Sequence, residues 1–93
     1  MAFDAIHNYY ETLVLEQLNA TLLKASDQPE QDFIEDVACV ALNSLPARYV
    51  RHNVDMVFYM TPEERTRMEQ DVASAVTTAW RYVEGHRRDK PQR

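Results

Sequence analysis

The stretch ALNSLPARYV, Ala41 to Val50, decides the fold: its first half continues a helical pattern and its second half ends it. Upstream, Phe33, Val37, Val40, Ala41 and Leu45 recur mostly three or four residues apart, which is the spacing of a buried helix face. Ile34, Ala38 and Leu42 widen that face, so this helix has neighbours on two sides. Pro46 stops it, because the proline ring disfavours helical geometry at Leu45. Asn43 and Ser44 are good exit residues. The Asn43 side chain can bond nearby backbone there, and Asn43→Ala is expected to cost ~1 kcal/mol through an unsatisfied buried partner. The spacing predicts a helix from Pro29 to Ser44.

Before it, Phe3, Ile6, Tyr10, Leu13, Val14, Leu18 and Leu22 advance with helical spacing. They predict an amphipathic helix from Phe3 to Lys24 of about six turns. Ala25 to Pro29 reads as the linker, with Pro29 suited to the next helix's first turn. After the central stretch, Ala47 to Met60 is rich in Val, Tyr and Phe and has no clean helical period. It predicts an extended connection with a short strand around Met56 to Tyr59. A symmetry-related copy is one partner for such a strand. Thr61-Pro62-Glu63-Glu64 then starts a further helix, with Thr at the N-cap, Pro at the first helical position and Glu at the third. Met68, Val72, Ala75, Val76, Ala79 and Val83 form its stripe, and Gly85 is placed to terminate it. The fold class is therefore mainly α: three helices, with an extended connection or short strand between helices 2 and 3. One domain spans residues 1–86, followed by a basic polar tail, 87–93.

The composition agrees. The 93 residues are too few for a second core, and 45% of them are apolar, enough for one. A single glycine argues against a turn-rich β fold. A domain this small gains from dimerisation, and a homodimer is expected. The lone cysteine, Cys39, has no intrachain partner and falls within the apolar helix, so an inert, buried thiol is expected there. The start, MAFDAIHNYY, has no basic region and no long apolar run, so no signal peptide is read and a cytoplasmic location is expected. No stretch approaches the roughly 20 apolar residues of a membrane span.

The net charge of −5 is unevenly spread. Eight acids against Lys24 alone leave residues 1–46 at −7, while nine Lys/Arg against seven Asp/Glu leave residues 47–93 at +2. An acidic half this strong argues against duplex nucleic acid as partner. A small anion held by local arginines remains open.

Enzyme chemistry finds no support. His7, His52 and His86 are scattered without metal-ligand spacing. Ser26, Ser44 and Ser74 lack a nucleophile motif, and the only glycine, Gly85, cannot build a phosphate loop. No catalytic, metal or cofactor residue is assigned. The distinctive set is Arg48, Tyr49 and Arg51 on the extended connection. A guanidinium is a planar cation suited to phosphate, and a tyrosine ring can stack on a base. In extended backbone Tyr49 and Arg51 point one way, Arg48 and Val50 the other. The competing reading ties the arginines to acids of the N-terminal half and packs Tyr49 in the core.

Asp36 to Val50, DVACVALNSLPARYV, resembles the central motif of the late competence development protein ComFB family, approximately D-[VI]-x-A-x-A-L-N-x-L-P-P-x-Y-V. Asn8, Glu11 and Val14 likewise resemble that family's N-terminal N-x-x-E-x-x-V signature. The resemblance implies a small helical protein, with dimers among its members, that acts as a receptor for a cyclic dinucleotide such as cyclic di-GMP and affects motility or competence. A regulatory protein partner is a further implication. On that resemblance Arg48 and Tyr49 carry the ligand, and Asn43, Leu45 and Pro46 shape the turn. Arg51 joins them on charge and proximity alone. Two departures stand out. Gln28, Glu30 and Phe33 occupy the places of the cysteines with which some members bind zinc, so no metal is carried over and Phe33 is expected to fill that place by packing. Ala47 stands where a second proline is common.

Overall fold

The computed structural model describes residues 4–26 and 28–87. The elements run β1 (His7–Asn8), α1 (Tyr9–Lys24), α2 (Gln31–Ser44), β2 (Tyr49–Val50), α3 (Asn53–Tyr59) and α4 (Pro62–Arg87). The protein is mainly α, as the spacing of apolar residues implies.

α4 is the frame. Its 26 residues extend about 39 Å at 1.5 Å per residue. Both α1 and α2 pack along it. Met68, Val72, Val76, Ala79 and Val83 are buried along one side, spaced by three and four as a single helical face requires. Against them lie Tyr10, Val14 and Leu18 of α1 and Val37 and Ala41 of α2. Leu13, Ile34, Val40, Leu42 and Leu45 are half-buried around this centre. The start of α4 is capped as its sequence indicates: the Glu64 N–H donates to Thr61 Oγ1 at 3.1 Å.

α2 ends at Ser44 as read but begins at Gln31, not Pro29, and other boundaries differ from the sequence reading in informative ways. α1 begins at Tyr9, not Phe3, because Asn8 caps it: its side chain accepts from the Tyr10 N–H. Ile6 lies ahead of the helix and is exposed, and Phe3 is outside the described residues. The strand expected at Met56 to Tyr59 is instead part of α3. Met56 and Met60 are both buried while Phe58 between them is exposed, which fits a helical path and not a strand, where all three would share one face. Packing thus overrides the β-leaning composition. The strand that does form, β2, pairs antiparallel with this chain's own β1, His7 opposite Val50 and Asn8 opposite Tyr49. Gly85 does not terminate α4, which continues to Arg87. No described glycine has positive φ.

Cys39 is exposed, contrary to the buried thiol expected. Glu35, Cys39 and Asn43, four residues apart, share the solvent side of α2. The basic tail beyond Arg87 lies outside the described residues. Among the described residues, no helix is long and apolar enough to cross a membrane.

Candidate functional site

The connection from Pro46 to His52 is anchored at its centre. Asn8 supplies the anchor with one oxygen. Its Oδ1 accepts from the Tyr10 N–H at 3.2 Å, capping α1, and from the Arg48 N–H at 2.9 Å. The Arg48 carbonyl in turn accepts from the Tyr9 N–H at 2.7 Å. Both backbone polar groups of Arg48 are therefore bonded to the start of α1. Two residues of ladder continue the contact. Beyond it, His7 Nε2 and Asn53 Oδ1 lie 2.7 Å apart and tie β1 to the first residue of α3.

This backbone frame leaves the side chains outside. Pro46, Arg48, Tyr49 and Arg51 are all exposed. Tyr49 is 66% exposed while its neighbour Val50 packs against the core, which is the alternation of extended backbone. The ring of Tyr49 is thus not a core residue. Arg48 also acts electrostatically on Tyr10. Burial raises the Tyr10 hydroxyl pKa above its usual value of 10.0, the charge of Asp71 raises it further, and the Arg48 charge partly offsets both. The structure therefore sets a guanidinium, an exposed phenol ring and a second guanidinium along one pinned connection.

Asn43 stands apart from that set. It lies on the last turn of α2 and is exposed, so no buried partner is left unsatisfied when it is truncated. The bonds at this exit come from Ser44 Oγ to the Ala41 carbonyl at 2.8 Å and from the Leu45 N–H to the Leu42 carbonyl at 3.3 Å. The residue that the sequence reading missed as structural support is Asn8. Its signal was present: Asn8-x-x-Glu11 is the spacing of a helix cap, and Val14, 1% exposed, completes the motif as a core residue.

Phe33 fulfils its expected packing role. It meets the ring of Trp80 edge-on, with centroids 4.9 Å apart and an interplanar angle of 73°. Among the described residues, no three His, Cys, Asp or Glu side chains converge as metal ligands. A cavity of about 200 Å³ lies between α1 and α4, lined by Leu13, Glu16, Gln17, Glu69 and Val72. Its two carboxylates disfavour an anion there.

No curated protein matches this chain. The family model described as late competence development protein ComFB matches residues 7–87, which takes in every element from β1 to α4, so the chain belongs to the ComFB family, whose description points to a competence-related role.

Proposed function

We propose that this protein is a regulatory binding module that takes a cyclic dinucleotide of the cyclic di-GMP type on the Pro46–Arg51 connection, in competence or motility control. One observation carries the reading: the Arg48 backbone is bonded on both sides while its side chain and the Tyr49 ring remain exposed. A ligand with two phosphates and two purines suits fixed guanidinium groups and an open aromatic face. A pinned backbone reduces the ordering cost of binding. Arg51 adds a second cation, Pro46 restricts the entry to the connection, and Asn43 flanks it from the end of α2. The role is non-enzymatic.

Isothermal titration with cyclic di-GMP and cyclic di-AMP tests this. Saturable heat, lost in Arg48→Ala and weakened in Tyr49→Ala, is expected. No heat and no thermal shift at tens of micromolar ligand would sink the reading. Binding unchanged by Arg48→Ala would retain the ligand but reject this site. A second reading, an interaction module without a small ligand, is favoured by the exposed aromatic side chains of α3.

A further inference from the structure

Tyr10 carries a hydroxyl where the core asks only for a ring. The residue is 5% exposed and belongs to the core with Val14 and Leu18. Among the described residues, no hydrogen bond reaches its hydroxyl, and no side-chain oxygen sealed from water lacks a partner. The hydroxyl oxygen is therefore the part of Tyr10 that meets solvent. It is a donor at the edge of the core with no protein acceptor. A polar group so nearly enclosed is costly to leave unpaired, and phenylalanine would fill the same space without it.

Arg48 lies beside it. Asn8 Oδ1 accepts from the Tyr10 N–H at 3.2 Å and from the Arg48 N–H at 2.9 Å, so both residues are fastened to one oxygen. In extended backbone Arg48 points to the side of Val50, which packs against the core, and away from Tyr49. The guanidinium charge is felt at the Tyr10 hydroxyl, and so is the opposite charge of Asp71. Asp71 stands three residues after buried Met68 and directly before buried Val72, at the rim of the core face of α4. Burial first, and Asp71 second, raise the hydroxyl pKa above its usual 10.0 against the pull of Arg48, so at neutral pH the group is a protonated donor. Three elements thus bring a neutral donor, a cation and a carboxylate to one place.

We propose that Tyr10 completes an anion site at Arg48, its hydroxyl donating to the phosphate oxygen that the guanidinium holds, a role that rests on the cyclic dinucleotide reading of the Pro46–Arg51 connection. One phosphate then sits on the α1 side of the connection. Asp71 opposes that anion and sets how tightly it binds. A carboxylate beside the cation serves selectivity: a simple anion is repelled, and a ligand that also gains the Tyr49 ring overcomes the repulsion.

Isothermal titration of the full chain with cyclic di-GMP, compared among wild type, Tyr10→Phe and Asp71→Asn, tests the proposal. Tyr10→Phe keeps the ring and is expected to weaken binding about tenfold. Its urea midpoint at neutral pH should equal that of wild type, because the hydroxyl bonds nothing in the free protein. Asp71→Asn is expected to tighten binding about threefold at low salt, with the gain shrinking as salt rises. The Tyr10 Cζ resonance of the wild-type chain should move on adding ligand. Binding to wild type that Tyr10→Phe leaves unchanged overturns the proposal and leaves the ligand reading standing. No binding to wild type overturns both. A Tyr10→Phe midpoint that falls together with affinity assigns the hydroxyl to the fold and also overturns the proposal. Asp71→Asn binding no tighter than wild type removes Asp71 from the site.

Discussion

Asn8 holds Arg48: its side-chain Oδ1 accepts from the Arg48 N–H at 2.9 Å, across 40 residues of sequence. The same oxygen caps α1. Asn8→Ala therefore removes a cap and a long-range bond together, and is expected to cost ~1–2 kcal/mol. Asn8→Asp, which keeps the acceptor, should recover most of this. Asn43→Ala, at an exposed position, should stay within ~0.5 kcal/mol of wild type. Urea midpoints measure all three. Equal midpoints for Asn8→Ala and wild type would remove the anchor from the account.

Phe33→Ala takes away an edge-on ring contact with Trp80. Because Phe33 is only half-buried, the expected loss is about 2 kcal/mol, below that of a fully buried phenylalanine. The emission of Trp80, the only tryptophan, should also change. Unaltered fluorescence with full stability would contradict the packing role.

Cys39 lies on the solvent side of α2. The native protein should react with Ellman's reagent without denaturant, releasing one equivalent of thionitrobenzoate. A thiol that reacts only after unfolding would restore the buried position expected from its apolar sequence neighbours.

Tyr10 titrates above its usual value, chiefly because burial disfavours the phenolate, with Asp71 adding to the effect and Arg48 opposing it. The folded state therefore favours the neutral phenol more than the unfolded chain does. The resulting stability is present below pH 10, and it is lost as pH rises from the unfolded pKa of about 10 through the raised folded value. Tyr10→Phe should flatten that alkaline loss. An alkaline denaturation profile identical in the two proteins would exclude the contribution.

The legibility of this fold follows the length of its elements. α4 was readable from Thr61 to Val83 because a cap and about four turns of regular apolar spacing agree with one another. The core face of α2 was readable for the same reason, and Pro46 marked its end. α3 was not, since a seven-residue helix offers one buried anchor, Met56, with Met60 following at its C-cap, among residues with strand preference. The start of α1 was misplaced because Phe3 and Ile6 happen to continue the period of Tyr10 and Val14, while Asn8, which sets the boundary, is a polar residue outside the stripe. At the candidate site, Arg48, Tyr49 and Arg51 could be chosen by type. What holds them could not be, because the bond from Asn8 joins residues that only the packed helices bring together.

The pairing of His7–Asn8 with Tyr49–Val50 carries a kinetic consequence. A ladder of two residue pairs cannot form until the chain between them has folded back, and so it closes a loop of about forty residues whose entropy must be overcome. The ladder should form late in folding. Once formed it is short and close to solvent, so it should also open locally at a free energy well below that of the whole fold. Amide exchange at Tyr9 and Arg48 would then run ahead of exchange at Val72 and Val76. The connection that carries the two guanidinium groups would be intermittently released while the helical core stays closed.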